Sequence, residues 1–340
     1  MAAVSVFHPT VAASVDPRQA VEALMLEVAA GEGANHCGEL AVEHLRTGGK
    51  RIRARLALQA LEALGEDPTR GVAWAAACEL VHNASLIHDD LQDGDLVRRG
   101  QPALWAVHGT AQAVNAGDLM LMLPFQCLEH LDGDASLRWD LTTVLARSAA
   151  DTARGQAEEV LLRERVRVDA AAYLAAAKGK TAALFGLPVQ GAARIAGRSA
   201  EEARALAAPF EVLGLLYQLQ DDVVDLYGDK GREAPGADLR EGKVSALVVA
   251  HLRHRPEDAL WLKGLLRAPR HDVSEPEVAE AARRFRDSGA LEDVLQQIDE
   301  LGDSVDAAVF GAVPRLREVA LALRARVLAP LNAVGSRVRS

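Results

Sequence analysis

Two groups of aspartates are the residues of this sequence whose type and spacing most directly suggest chemistry. The first group, Asp89, Asp90 and Asp93, follows an apolar run typical of a helix. Asp89 and Asp93 are four positions apart, so on a helix they lie on one face, one turn apart. Two like charges at that spacing repel each other unless a cation lies between them. Mg²⁺ takes carboxylate oxygens and shares its coordination shell with water and phosphate.

The second half of the chain repeats this spacing. Asp221, Asp222 and Asp225 follow another apolar helical run, in the segment YQLQDDVVD. Two such helices facing each other would place six carboxylates around one cavity. Several cations and a polyanion must then fill the space between them, and a diphosphate is the natural polyanion.

A first basic site precedes the aspartates in the segment GGKRIR, residues 48–53. Its two glycines allow a sharp turn. Lys50 and Arg53 then open a predicted helix, where free backbone N–H groups favour an anion. The alternative is an exposed basic helix start, and the aspartates downstream favour the anion site.

A second basic site follows the first aspartates, where Arg98 and Arg99 lie between two glycines. Arginine binds phosphate in a bidentate way and keeps its charge, so the pair suits two separate phosphate groups. The alternative is a salt bridge back to Asp93 or Asp95.

Polar residues inside apolar helices give further candidates. His82 is seven residues before Asp89 and therefore lies two turns along the same face, as a ligand or as a satisfied core histidine. Lys180 and Thr181 lie mid-helix in KGKTAALFG. Buried there, they need a partner such as phosphate; the alternative is an exposed Lys180.

Composition restricts the fold and the class of partner. The 340 residues are about half hydrophobic, with few aromatics and few β-branched clusters, which favours an all-α protein. We expect a tail at 1–15 and one domain at 16–340. The net charge of −10 argues against a nucleic-acid binder. No apolar stretch reaches the ~18 residues of a membrane span. The three cysteines are odd in number and lack metal-ligand spacing, which predicts reduced thiols in a cytoplasmic protein.

Together the motifs closely resemble the trans-isoprenyl diphosphate synthase (polyprenyl synthetase) family, in particular its geranylgeranyl diphosphate synthases. GGKRIR, LIHDDLQDGDLVRRGQP, GKTAALF and YQLQDDVVD with GADLREGKVSAL occur within 48–247 in the family's order and spacing. The resemblance implies a single-domain all-α bundle around a deep central cavity, forming a homodimer. It also implies a Mg²⁺-dependent prenyltransferase that condenses isopentenyl diphosphate with dimethylallyl, geranyl or farnesyl diphosphate.

The resemblance further implies a role for each matched residue. Three Mg²⁺ ions would be held by Asp89, Asp93, Asp221 and Asp225, with Asp90 and Asp222 in support. Catalysis would rest on these aspartates and on Lys180. The allylic diphosphate would be held by Arg98, Lys180, Thr181, Gln218 and Lys243. Isopentenyl diphosphate would be held by Lys50, Arg53, His82 and Arg99.

The sequence departs from the family pattern at two places. The loop after the second aspartates reads GREAPGAD, with Arg232 where the family has lysine and with one extra residue, so Arg232 is not assigned a role. Glu159 stands where the family has aspartate, a change we expect to be tolerated. Residues 244–340 predict amphipathic helices without identifiable chemistry.

Product length should depend on the residues just before the first aspartates. Family members that stop at fifteen carbons tend to have an aromatic there, whereas this chain has Ala84 and Ser85. We therefore expect an open cavity at this level and a product of twenty carbons or somewhat more. Trp74, about 15 Å from Ala84 toward the start of the helix, either closes the cavity at its next level or is a core residue. Partner-helix residues could close the cavity sooner, namely Leu121, Met122 and Phe125.

Two other functions use the same fold. A class I terpene cyclase acts on a single allylic diphosphate and normally keeps one aspartate-rich motif beside an Asn/Ser/Glu metal site. A non-catalytic subunit of a heteromeric synthase usually lacks one aspartate set. This chain has both aspartate sets and the GGKRIR site, which favours the synthase over either alternative.

Overall fold

The computed structural model is built almost entirely from helices, which confirms the all-α prediction. It describes residues 16–33, 35–164, 169–228, 235–308, 310, 311, 313–332 and 334. The predicted tail at 1–15 and Arg232 therefore lie outside the described residues. In the described part of the chain, no helix has both the length and the apolar character needed to cross a bilayer.

The helices follow one another with short connections. Those of the first half are α1 (Pro17–Ala30), α2 (His36–Arg46), α3 (Ile52–Ala63), α4 (Val72–Asp93), α5 (Leu104–His108), α6 (Thr110–Cys127) and α7 (Ala135–Glu164). Those of the second half are α8 (Ala170–Ala177), α9 (Ala183–Ile195), α10 (Ala200–Tyr227), α11 (Ala237–Arg240), α12 (Ala246–His254), α13 (Ala259–Arg267), α14 (Glu275–Asp287), α15 (Ala290–Asp306) and α16 (Pro314–Leu328). A π-helical turn, Lys178–Ala182, joins α8 to α9.

A small hairpin follows the first aspartates and carries Arg98 and Arg99. Strand β1 (Val97–Arg98) pairs with β2 (Gln101–Pro102) in antiparallel register. The turn between them has positive φ at both residues, 55° at Arg99 and 77° at Gly100. Two-residue hairpins favour this geometry because its twist matches that of the strands. The hairpin therefore fixes the unusual backbone conformation of Arg99.

The core consists of two apolar clusters that share α10. The first cluster is formed by helices α1, α2, α3, α4, α6 and α9 and by the start of α10, and it includes Trp74 and Phe210. The second cluster is formed by the end of α10 and by helices α8, α12, α13, α14 and α15, and it includes Leu216 and Phe285. Within the first cluster, α4 packs against α1, α3, α6 and α9. Both aspartate motifs lie at the C-terminal ends of these packed helices, α4 and α10.

The contact between α4 and α9 depends on a glycine. Trp74 is fully buried, and its indole Nε1 donates to the carbonyl oxygen of Pro188 at 3.0 Å. A Cβ on Gly191 would lie 1.9 Å from the Trp74 ring. The indole is thus fixed against the backbone of α9, which supports its interpretation as a core residue.

Replacing Gly191 by alanine should therefore destabilise the fold. The added methyl group overpacks a rigid contact, so we expect the free energy of unfolding to fall by about 1–3 kcal/mol, measured by urea denaturation. Gly264→Ala, inside α13 with no neighbouring atom within 4 Å of the new Cβ, is the matched control. It should leave stability unchanged or raise it by about 0.5–1 kcal/mol. Equal effects of the two substitutions would contradict the packing argument.

Candidate functional site

The last turns of α4 present the first aspartates to a cleft. Asp89 and Asp93 lie one turn apart, as predicted, and the helix ends at Gly94 in the left-handed conformation. The Nζ of Lys180 lies 3.8 Å from Oδ1 of Asp89, and the Nζ of Lys243 lies 2.8 Å from Oδ2 of Asp93. The structure therefore brings two of the predicted phosphate-binding lysines to the first aspartate motif.

Two glycines place Lys180 in the cleft. A Cβ on Gly155 of α7 would lie 2.2 Å from the backbone nitrogen of Lys180, and one on Gly179 would lie 2.7 Å from the carbonyl oxygen of Asp151. The π-helical turn crosses α7 at this close contact, and such turns are frequent at functional sites. Lys180 also forms an ion pair with Glu159 of α7. Burial alone would lower the pKa of Lys180, but Asp89 and Glu159 raise it, so the ammonium stays charged.

The two cleft aspartates of α4 differ in their electrostatic environment. Burial raises the pKa of Asp89, and Lys180 offsets this only in part. Burial acts on Asp93 in the same sense, but Lys243 and Arg163 outweigh it and lower the pKa of Asp93. Arg163 Nη2 donates to Asp93 Oδ1 at 2.7 Å. Asp93 is thus held between two cations, whereas the negative charge of Asp89 is less fully compensated by neighbouring cations.

The second aspartate motif lies on α10 and is linked to the first through Thr181. Thr181 Oγ1 donates to Gln218 Oε1 at 2.9 Å, and Gln218 Nε2 donates to Asp222 Oδ1 at 2.9 Å. Asp221 is partly accessible, and Asp225 lies one turn further along the helix. The predicted allylic-site residues Lys180, Thr181 and Gln218 therefore line one continuous path between α4 and α10.

Asp222 is the buried member of the adjacent pair on α10, and its catalytic role stays a prediction. Its carboxylate is 4% exposed and accepts hydrogen bonds from Tyr173 Oη and from the backbone nitrogen of Ala246, both at 2.7 Å. Burial raises its pKa to about 6, although these donors oppose the shift. Asp222 thus ties α10 to α8 and to the start of α12, and we assign it as a positioning residue.

Asp90 is likewise the buried member of the adjacent pair on α4, and its catalytic role stays a prediction. It is 1% exposed and accepts hydrogen bonds from Arg98, at 2.6 Å from the Nε atom. Burial raises the pKa of Asp90 to about 6, against the effect of the guanidinium. A contact of 3.5 Å also joins Arg98 to Asp95, the salt bridge considered as an alternative above. Asp90 is therefore a positioning residue that holds the hairpin, and a phosphate contact by Arg98 stays a prediction.

A second cationic region lies near His82 of α4, at GGKRIR. Gly48 and Gly49 have φ of 81° and 131°, and Arg99 Nη1 donates to the carbonyl oxygen of Gly48. A Cβ on Gly49 would lie 2.6 Å from Arg99 Cζ. Glycine is therefore required by the backbone conformation and by the guanidinium packed on it. Arg99 and the GGKRIR turn therefore form one packed unit.

Arg53 and His82 belong to the same region. Arg53 is 9% exposed, and its Cζ lies 5.1 Å from the ring centroid of Phe185, within cation–π range. Burial, followed by the charges of Arg53 and Arg99, lowers the pKa of His82 well below its usual value, so this imidazole is neutral. Lys50 instead is exposed and lines a surface groove of about 360 Å³ with Arg18. The structure thus gathers three of the four predicted isopentenyl-site residues.

Sequence reasoning missed several ionisable residues around these two regions. They are His44, Glu79, Arg163, Glu241 and Arg270. Glu79 is 1% exposed, and its Oε2 accepts from the backbone nitrogen of Ala54 at 3.1 Å, capping α3 beside Arg53. A lone glutamate in the apolar run WAAACELV could have identified it. The isolated basic residues carry no comparable signal, since many similar ones lie on the surface.

The carboxylates fit a hard divalent cation by their chemistry. Asp89, Asp93, Asp221 and Asp225 offer only oxygen ligands, as Mg²⁺ prefers. Among the residues that the structure describes, no group of three or more His, Cys, Asp or Glu side chains is arranged around a single metal position. Lysine and arginine side chains compensate the first motif instead. Metal binding would require these cations to move or to take a new anionic partner.

The residues assigned to product length lie one turn before the aspartates. Ala84 is fully buried with no accessible surface, so the open cavity expected at this level is not present beside it. Ser85 is partly accessible, and its Oγ donates to the carbonyl oxygen of His82 at 2.8 Å. On the partner helix α6, Leu121 and Phe125 are partly buried and Met122 is 54% exposed. Of the two assigned positions, Ser85 is the one that can contact a bound chain without repacking.

Comparisons with known proteins find one family and several solved structures that this chain resembles. The family model described as polyprenyl synthetase matches residues 35–284. A short chain isoprenyl diphosphate synthase from Methanothermobacter thermautotrophicus is 36% identical over 74% of this chain and 77% of that protein. A geranylgeranyl diphosphate synthase from Mycobacterium tuberculosis is 37% identical over 65% of this chain and 63% of that protein. The crystal structure of a polyprenyl synthetase from Streptomyces coelicolor A3(2) has a TM-score of 0.82 and 29% identity, covering 92% and 97% of the two chains.

His44 should make stability depend on pH. The side chain is 3% exposed, and burial, followed by Arg99 and Arg98, lowers its pKa to about 3. The unfolded chain binds a proton near pH 6.5 and the folded chain does not. This contribution is therefore fully present above pH 6.5 and is lost as the pH falls toward 3, by up to about 1.4 kcal/mol per pH unit.

Urea unfolding of His44→Gln at pH 7, 6 and 5 tests this expectation. The variant should show a smaller decrease in the free energy of unfolding between pH 6 and pH 5 than the parent protein. His271→Gln is the control because His271 is exposed, with 84% of its side chain accessible. Parallel pH profiles for His44→Gln and the parent would exclude a buried neutral His44.

Proposed function

This chain belongs to the polyprenyl synthetase family, and we propose that it extends an allylic diphosphate by one or more isopentenyl units to an all-trans prenyl diphosphate. The single observation that carries this proposal is the presence of two cationic regions on α4. One lies at Asp89 and Asp93 with Lys180 and Lys243. The other is formed by Arg99 on the GGKRIR turn, with Arg53 beside it. A condensation of two diphosphates needs two such regions.

The aspartate side of the site is the proposed place of the allylic diphosphate. Asp89, Asp93, Asp221 and Asp225 would hold three Mg²⁺ ions, which supply positive charge to the leaving diphosphate. Lys180 and Lys243 add fixed positive charge on the same side, where it stabilises the charge that develops as the allylic C–O bond breaks. Thr181 and Gln218, already hydrogen-bonded to each other, orient this region. Arg98 joins them once its contact with Asp90 opens.

The GGKRIR side is the proposed place of isopentenyl diphosphate. Arg53, His82 and Arg99 bind its diphosphate, with Lys50 turning inward from the surface. Binding there holds the double bond close to the allylic cation, which lowers the entropic barrier to carbon–carbon bond formation. Loss of a proton, most simply to the released diphosphate, completes an allylic product five carbons longer. The enclosed cleft keeps water away from the cation.

The purified protein tests this function directly. It is incubated with Mg²⁺, isopentenyl diphosphate and, separately, the five-, ten- and fifteen-carbon allylic diphosphates, and products are sized by mass spectrometry. We expect a ladder that ends at one length. Asp89→Asn and Asp221→Asn should lower kcat about 10²–10³-fold, because each removes charge stabilisation in the site. Asp299→Asn, an exposed position on α15, is the control.

A different product would identify a different enzyme. A cyclic hydrocarbon formed without isopentenyl diphosphate would make the chain a terpene cyclase. The relatives described above are named as prenyl diphosphate synthases, which favours the ladder.

The product is proposed to have twenty carbons or somewhat more. The small, partly accessible side chain of Ser85 supports this length, as does the name of the mycobacterial relative, a geranylgeranyl diphosphate synthase. Ser85→Tyr should shorten the main product toward fifteen carbons, because the ring would occupy the accessible space at that level. Ala84→Tyr should act in the same direction at a cost in stability, since Ala84 is fully buried. Ser85→Ala is the control, and an unchanged product from Ser85→Tyr would remove this position from the tunnel.

A homodimer and a cytoplasmic location stay predictions. Trp139 on α7 is 71% exposed and Met122 on α6 is 54% exposed, so both are candidates for the subunit contact. Trp139 lines a surface groove of about 510 Å³ along α7. The cysteines Cys37, Cys78 and Cys127 are free thiols, as expected in a reducing compartment.

A further inference from the structure

A side chain from the last part of the chain reaches the aspartate cleft. Arg270 lies in the short 3-10 turn Arg270–Asp272, between α13 and α14. Its Nη1 is 2.9 Å from Oδ1 of Asp95, and its Nη2 is 3.3 Å from Oε1 of Glu241. Each of these carboxylates follows one of the two aspartate motifs. Arg270 therefore joins two segments that are far apart in sequence.

Each of the two carboxylates also contacts a cation of the proposed allylic site. Asp95 Oδ2 is 3.5 Å from Arg98 Nη2, and Glu241 Oε2 is 2.7 Å from Lys243 Nζ. Arg270 thus lies in the middle of an alternating series of charges that begins at Arg98 and ends at Lys243. Lys243 in turn contacts Asp93.

The central step of this series is partly buried. The side chain of Glu241 is 5% exposed and that of Arg270 is 32% exposed. A buried carboxylate needs a cation. When one of its two cationic partners is removed, the carboxylate binds the remaining cation more strongly. Without Arg270, Glu241 would hold Lys243 more tightly and compete with a diphosphate for it. With Arg270 present, Glu241 is already neutralised and Lys243 remains available.

We propose that Arg270 is a positioning residue that keeps Lys243 available to the allylic diphosphate by neutralising Glu241. The role depends on the proposed function, because it assigns Lys243 to that substrate. Arg270 itself contacts the two carboxylates and acts on the substrate only through them. The fork of the guanidinium reaches both carboxylates at once, which a single ammonium does not.

Steady-state kinetics of Arg270→Gln test the proposal. The KM for farnesyl diphosphate should rise about tenfold at saturating isopentenyl diphosphate, since the loss of one charge partner is typically felt on this scale. The KM for isopentenyl diphosphate should stay within about twofold, because the contacts of Arg270 lead through Glu241 to Lys243, which belongs to the proposed allylic site. The KM of Arg270→Lys for farnesyl diphosphate should lie between that of the parent protein and that of Arg270→Gln. His271→Gln, at the adjacent exposed position, should match the parent protein.

A second substitution separates positioning from simple destabilisation. Glu241→Gln removes the carboxylate that competes for Lys243, so Arg270→Gln/Glu241→Gln should have a lower KM for farnesyl diphosphate than Arg270→Gln alone. A structural role would instead lower the melting temperature and raise both KM values, with the double variant worse. Either that pattern or an unchanged KM for farnesyl diphosphate overturns the proposal. If Arg270→Gln does not fold, Arg270→Lys with and without Glu241→Gln gives the same comparison.

A calorimetric measurement distinguishes this proposal from the proposed function. Inorganic diphosphate with Mg²⁺ should bind Arg270→Gln about tenfold more weakly than the parent protein. A parent protein that makes no prenyl diphosphate would refute the function. Equal diphosphate affinities in the two proteins would refute the role of Arg270.

Discussion

Negative charge is concentrated at the C-terminal ends of two helices, and much of this structure serves to compensate it. Asp93 is the last residue of α4, and Asp225 lies two residues before the end of α10. A helix C-terminus already carries partial negative charge, and like charges one turn apart repel. Cations from distant segments, among them Lys180 and Lys243, offset this cost. Their positions explain why a π-helical turn and the loop between α11 and α12 converge on α4.

In each motif, the two adjacent aspartates have different surroundings: one faces the cleft, and the other is buried and holds neighbouring segments in place. Asp89 faces the cleft, whereas Asp90 is buried and holds Arg98 of the hairpin. On α10, Asp222 is buried and accepts hydrogen bonds from Tyr173 and the start of α12. Adjacent residues on a helix point about 100° apart, so a pair can serve two surfaces. The motif therefore binds charge and also fixes the segments that carry the opposite charge.

Local sequence patterns indicated the helices and the motifs. Contacts between segments that are far apart in sequence determined the features that these patterns could not indicate. Helix α2, His36–Arg46, has recognisable boundaries in the sequence, because Asn35 caps its start and Gly48 and Gly49 follow its end. The helical run of α8 and α9 is interrupted at Lys178–Ala182, where Gly179 meets Gly155 of α7. That contact joins residues far apart in sequence and leaves no local pattern. The site motifs were recognisable for the opposite reason, since their residues repeat at helical spacing.

Charge partners were the hardest part of the site to predict. Arg270 and Glu241 look like ordinary surface residues in the sequence, and only the packing of α13 and α14 brings them to the cleft. Isolated charges are common on protein surfaces, so their type alone carries little information. Glu79 differs because it lies in an apolar run, where an unpaired carboxylate would be costly.

Helix α4 also fixes the distance between the two cationic regions. His82 lies on the GGKRIR side and Asp89 lies seven residues later, which corresponds to about 10 Å along the helix axis. Helices α1, α3, α6 and α9 pack around α4, so this spacing changes little with thermal motion. Condensation of two diphosphates requires their carbon chains to meet while their charges stay apart. A single packed helix that carries both regions meets the two requirements at once, because it separates the anions and aligns the groups that bind them.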